Sequence, residues 1–368
     1  MNISRRNLLS AGAGVAAYAA LPRALAQEPV VFAPKPGDWR RYEVRTLIEI
    51  ASAPGGAQIW APIPAFEDAD WIKPGETAWT LKSGSAALAV DPGSGARMVR
   101  AAWSAADGPA HIEIVSRFMA RDRAVALTPR NTGPGLSAEK RKLYTAATEL
   151  LQTDGIVKTQ ADQIVAGAKS DLEKAQRLYE WVVDNTFRNP KTRGCGVGDV
   201  AGMLKSGNLS GKCADLNALY VALARAAGLP ARDIYGIRVA PSQFGYKSLG
   251  ANSPAISKAQ HCRAEVFIDS IGWVPVDPAD VRKVVLEEPP GNLALADSKV
   301  VAARRALFGA WETNWLAYND AHDVKLPGSK GPAIPFLMYP QAETAGGRLD
   351  SLDPDAFKYS ITAREITG

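Results

Sequence analysis

Histidine and cysteine are scarce in this chain, with three of each in 368 residues. His111, His261 and His322 and Cys195, Cys213 and Cys262 form neither a Cys-x-x-Cys nor a His-x-x-x-His pair, so no zinc framework, and no metal or cofactor, is expected. Gly194-Cys195-Gly196-Val197-Gly198 lacks the Lys-Ser/Thr ending of a phosphate loop, and no dinucleotide fingerprint follows a strand. Dense Lys/Arg runs interleaved with aromatics are also missing, which argues against nucleic-acid binding. What remains is ordinary globular composition, 46% hydrophobic and 22% charged, in a chain long enough for more than one domain.

The first residues read as an address. Ser4-Arg5-Arg6-Asn7-Leu8-Leu9 sets paired arginines before an apolar stretch that runs to Leu21 and is too short to span a bilayer comfortably. Ala24-Leu25-Ala26 then gives a small-x-small cleavage site. Residues 1–26 are therefore expected to be a twin-arginine signal peptide, and the mature chain a periplasmic protein with no stable membrane insertion. A short N-terminal anchor is the alternative. Without Arg5, Arg6 and Arg23 the chain keeps 40 basic against 38 acidic residues, so most of its formal charge of +5 belongs to the signal.

Residues 27–130 read as β. The run from Tyr42 to Ile50 is rich in β-branched residues, and Ile112, Ile114 and Phe118 share one face of a second run. Breaker clusters at Ala53-Pro54-Gly55-Gly56 and Asp91-Pro92-Gly93 separate such runs, as in an antiparallel β-sandwich domain. A linker rich in proline and glycine, 128–135, leads to an α+β region over 131–288. There Ser137 is placed to cap a helix running through Leu151, and Ser170 or Asp171 to cap another. A further helix begins near Cys213 and stops at Gly228, with Leu216, Leu219, Tyr220 and Leu223 on one face. Two strands, 261–268 and 273–277, follow with a turn between them. Residues 289–368 read as a β-rich segment of short strands and loops.

A thiol nucleophile needs its thiolate stabilised, and a helix N-terminus beside an imidazolium does so. Cys213 has the helix position. Of the three histidines, His111 falls in the N-terminal β region and His322 in a polar, loop-like segment. His261 opens a strand in the same region as Cys213 and is the best base. A hairpin returns the end of its second strand beside the start of its first, which brings Asp277 back to orient the His261 ring.

Gly211-Lys212-Cys213-Ala214-Asp215, the run from Ala222 to Arg232, His261 with Ala264-Glu265-Val266, and Gly272-Trp273-Val274-Pro275-Val276-Asp277-Pro278 together resemble the transglutaminase-like superfamily, relatives of the papain-type thiol enzymes. The resemblance covers roughly residues 170–285. It implies an α+β, papain/transglutaminase-like core with Cys213 as nucleophile, His261 as base and Asp277 as orienter. Many relatives carry an aromatic residue two positions after the histidine, whereas this chain has Arg263, which is expected to narrow the cleft or favour an acidic substrate group.

The expected reaction is acyl transfer from an amide through a thioester, most simply hydrolysis of peptide or peptidoglycan-type amides in the cell envelope. An amine-accepting cross-linker and a catalytically silent module that binds an envelope partner are the alternatives. Asn208 is a weak second oxyanion donor. Asp215 is expected to steady the first helical turn, and Glu265 to form a salt bridge with Arg263. Strand alternation points Cys262 away from His261 and Cys213. Cys195 and Cys262 then either bridge behind the site or stay free as small buried thiols.

Overall fold

The computed structural model describes residues 31–51, 54–105, 108–129 and 135–366. The expected signal, 1–26, and the centre of the linker, 130–134, lie outside them. No helix among the described residues is long and apolar enough to cross a membrane.

Two antiparallel sheets make the β part. One runs Lys358–Glu365, Arg40–Ile50, Ala110–Ala120, Ile72–Leu81; the other runs Gly347–Leu349, Gln341–Thr344, Ala57–Pro62, Arg97–Trp103, Ser85–Val90. In Ala110–Ala120 every second residue from Ala110 is buried, the period of a half-buried strand. Ile112 and Ile114, with Ile48 from the neighbouring strand of their own sheet, pack with Ile59 and Val99 of the other sheet in one core. The strands of 341–365 do not stand apart: Lys358–Glu365 pairs with Arg40–Ile50 and Gln341–Thr344 with Ala57–Pro62, while Gly347–Leu349 adds to the second sheet through Gln341–Thr344.

The other half is a four-stranded antiparallel sheet, Gly272–Val276, Gln260–Ile268, Ala231–Arg238, Trp315–Asn319, covered by helices. Ser137 caps Ala138–Thr145 and Ser170 caps Asp171–Asn185, each hydroxyl accepting a backbone N–H three residues on. The first of these helices ends at Thr145, short of the expected Leu151. Helix Cys213–Ala226 is buried over its whole length, as its apolar residues on every side require. Gly228, at φ +83°, stops it. Trp71 of the β part stacks on Trp315 at 6.2 Å and meets Trp311 edge-on at 5.5 Å, which joins the two halves through one core.

Candidate active site

Cys213 occupies the first position of its helix, where the N-terminal dipole favours an anion. The Asp215 carboxylate fixes this turn. It accepts the Lys212 N–H at 2.9 Å and, from the glycine-rich loop, the Val197 and Gly198 N–H groups at 3.0 and 3.1 Å. Asp215 thus steadies the first turn as expected and also holds the loop against it. A Cβ on Gly196, at φ +90°, would lie 1.9 Å from that carboxylate, so the loop needs glycine there. The Ala214 N–H donates to the Cys195 carbonyl at 2.9 Å and is thereby used. Among the described residues the Cys213 N–H has no acceptor.

His261 is the second residue of strand Gln260–Ile268, and its side chain is 4% exposed. Its Nε2 lies 2.8 Å from Asp277 Oδ2 and 3.4 Å from Asp280 Oδ2. The hairpin return therefore brings Asp277 to the imidazole. Asp277 also caps helix Pro278–Glu287 through the Asp280 N–H at 3.0 Å. Asn217, one turn below Cys213, donates to Asp277 Oδ1 at 3.2 Å and to the Cys262 carbonyl at 2.8 Å. Its own Oδ1 accepts the Ala279 N–H at 3.2 Å. One amide thus ties the Cys213 helix to the His261 strand and the Asp277 helix.

The charges follow this geometry. Burial and the Arg238 charge press the His261 pKa down, but Asp280 and Asp277 outweigh them and leave it raised to about 9. The thiols of Cys195 and Cys262, and then His261, hold Cys213 well below an ordinary thiol against the cost of burial. Asp280 stays well below the usual carboxylate range despite burial, because Arg238 Nη2 lies 2.5 Å away and His261 is close. Burial and the Asp280 charge raise Asp277, with His261 and Arg263 opposing. The directions of the two shifts favour the charged form of each group, the thiolate of Cys213 and the imidazolium of His261.

Four expectations need correction. Arg263 neither lines nor narrows the cleft: it is buried, with its guanidinium 5.4 Å from the Trp311 ring and 4.9 Å from that of Trp315. Its Nη1 donates to the Glu312 carbonyl at 2.8 Å and its Nε lies 3.6 Å from Asp277 Oδ2, so it acts behind the aspartate. Glu265 pairs with Arg123 and with Arg232, the latter at 2.7 Å, and not with Arg263. Cys262 does not turn away from Cys213. The helix start abuts the first residues of the strand, so side chains from both strand faces reach the thiol, and all three cysteines share one cluster. They are free and buried, with no bridge; the Cys195 thiol donates to the Gln260 carbonyl at 3.3 Å. Asn208 lies outside the cleft and accepts from Ser210 instead.

The cleft has a volume of about 660 Å³, with Cys213 and His261 in its wall. Leu352, Phe357 and Tyr359 supply an apolar wall from the C-terminal segment. His261, Asp277 and Asp280 also have a metal-like spacing, but the ring nitrogen concerned is already bonded to Asp277. Asp280, Asn217 and Arg238 were not foreseen. Asn217 is four residues after Cys213 and Asp280 three after Asp277, so helical spacing was the one signal for both.

Comparison with known proteins agrees with this architecture. Over 232 residues the chain is 43% identical to an uncharacterised protein of Haemophilus influenzae; the match covers 61% of this chain and 62% of that protein, so it spans less than two thirds of its relative. A solved structure of a candidate cysteine protease from Cytophaga hutchinsonii superposes with a TM-score of 0.50 at 15% identity, covering 90% of this chain and 99% of the other. The periplasmic domain of TgpA from Pseudomonas aeruginosa aligns over 67% of this chain and 88% of its own at 14% identity, with a TM-score of 0.36. The region that holds Cys213, His261 and Asp277 matches a family directly: residues 158–278 of this chain match the transglutaminase-like superfamily.

Proposed function

We propose that the chain is a thiol amidohydrolase that cleaves peptide or peptidoglycan-type amides, with Cys213, His261 and Asp277 as its catalytic triad. The observation that carries this is the 2.8 Å contact of His261 Nε2 with Asp277, which leaves Nδ1 for the Cys213 thiol, itself held low by its neighbours and by His261. The thiolate attacks the amide carbonyl carbon. The Cys213 N–H receives the developing oxyanion. His261 gives its proton to the leaving amine as the C–N bond breaks, which leaves a thioester and a neutral imidazole. That imidazole then takes a proton from water as the water attacks the thioester. Acid is released and the thiolate returns.

The envelope is the proposed location, on the strength of Arg5, Arg6 and the cleavage site at Ala24-Leu25-Ala26. The test is mass spectrometry of envelope material incubated with the mature protein and with Cys213→Ala. New acid and amine ends that depend on Cys213 are expected. New amine cross-links would make the protein a transamidase, and no Cys213-dependent product would remove the reading. Expressed from its own precursor, the wild type should fractionate with the periplasm and the double Arg5→Lys, Arg6→Lys variant with the cytoplasm; equal export of both would refute the signal.

A further inference from the structure

The wall of the cleft is one-sided in charge. Arg188, Arg193, Lys212, Arg238, Lys258 and Lys283 line it, and no Asp or Glu does among the described residues. The three arginines are answered from outside the lining: Arg188 by Glu287, Arg193 by Asp350 and Arg238 by Asp280. Two of the three lysines are not, and the third only loosely. Among the described residues Lys212 and Lys258 have no ion pair, and Lys283 has only a 3.8 Å approach to the Glu287 that Arg188 already holds.

Lys283 is the telling member. Its side chain is 18% exposed, yet its ammonium has no hydrogen-bond acceptor among the described residues. It sits one turn beyond Asp280 on helix Pro278–Glu287. Burial, with the charges of Arg238 and Arg188 against those of Asp280 and Glu287, presses its pKa down to about 8, so a further anion brought beside it would offset the remaining like-charge repulsion. A confined cation without an acceptor, in a cleft that concentrates one sign of charge, selects ligands of the other sign.

We infer that Lys283, with Lys258 and Lys212, forms a carboxylate-binding subsite beside Cys213, so that the preferred substrate is an amide flanked by a free carboxylate, as in an acidic peptide. This rests on Cys213 being the nucleophile, and it makes Lys283 a specificity determinant with no part in bond breaking.

Two small alkylating agents test it without knowledge of the substrate. Iodoacetate and iodoacetamide attack the same thiolate and differ in carrying a carboxylate or an amide. A variant that changes only the thiolate fraction alters both rates together, so their ratio reports anion recruitment alone. The rates are read at the Cys213 peptide by mass spectrometry. The iodoacetate to iodoacetamide ratio should be at least about fivefold higher in the folded protein than in the urea-unfolded chain. It should fall about threefold or more in Lys283→Gln and less in Lys258→Gln, survive in Lys283→Arg, and shrink as salt is raised. Lys258 is exposed, so its variant keeps the test valid if Lys283→Gln fails to fold. A ratio equal in folded and unfolded protein, or unmoved by the lysine variants, overturns the subsite and leaves the nucleophile standing. A Cys213 inert to both reagents overturns the nucleophile and the subsite with it.

Discussion

Two histidines in this molecule are buried next to an aspartate, and they are tuned in opposite directions. His261 and His322 have side chains 4% and 8% exposed, so burial alone does not separate them. His261 contacts two carboxylates, Asp277 at 2.8 Å and Asp280 at 3.4 Å, and is raised to about 9. His322 lies 3.6 Å from the single carboxylate of Asp233, with its Nδ1 3.4 Å from the Tyr235 hydroxyl. Burial and then the Arg225 charge push it down to about 3. Asp233, with no hydrogen-bond partner for either oxygen among the described residues, is pushed up to about 7 by burial, against the pull of Arg225. A hydrogen-bonded contact and a second carboxylate thus make a buried cation, and their absence makes a buried neutral ring.

The largest test of this contrast is to remove each ring. His261→Ala should cut hydrolysis by about a thousandfold or more, whereas His322→Ala should leave kcat/KM within about twofold once folding is checked by circular dichroism. Equal losses would mean that the two pairs do not differ in role.

A smaller effect comes from the acids. Asp277→Asn should lower kcat by about a hundredfold, less than Cys213→Ala, because it disturbs the ring and keeps the nucleophile. It should also move the alkaline limb of the rate, set in the wild type near the His261 value of about 9, to lower pH. In the wild type, Cys213 alkylation should stay nearly flat between about pH 6 and pH 8, where a free thiol gains about tenfold per unit. A Cys213 rate that climbs like a free thiol over that interval would contradict the ion pair. The linkage has a definite sign: His261 is raised from 6.5 to about 9, so its stabilising share is complete below 6.5 and is lost as pH rises through about 9.

The smallest effect is a gain. Asp233 has its pKa raised from 3.8 to about 7, so the native state binds its proton more tightly than the unfolded chain does, and stability falls as pH climbs through that interval. Asp233→Asn should stabilise the protein by roughly 1–2 kcal/mol above about pH 7 and make little difference below about pH 4, as read by urea unfolding. No pH dependence in that difference would show that the carboxyl is not the source.

Much of the site was legible because its parts sit at local landmarks. Cys213 begins a helix after glycine, His261 opens a strand, and Asp277 closes the hairpin that strand begins. Each of those statements depends on neighbours a few residues away. What was missed depends on the third dimension. Alternation assigns His261 and Cys262 to opposite strand faces, but it held no information on where the helix start would meet the strand. Arg263 was placed on the His261 side, yet its position between Trp311 and Trp315 follows from a strand some fifty residues later. The pairing of Lys358–Glu365 with Arg40–Ile50 is more remote still, and a β-rich reading of residues 289–368 contained no hint of which sheets they would enter.

That last pairing also sets the order in which the molecule can be made. The strand at Arg40–Ile50 lies between Ala110–Ala120 and Lys358–Glu365, so one of its edges stays open until more than three hundred residues of later chain have been synthesised. Leu352, Phe357 and Tyr359, from that same late segment, wall the cleft around Cys213. Contacts this far apart in sequence impose a large loop-closure cost and form late. A chain still emerging from the ribosome therefore carries the thiol, the imidazole and the carboxylate well before it carries a finished substrate cleft.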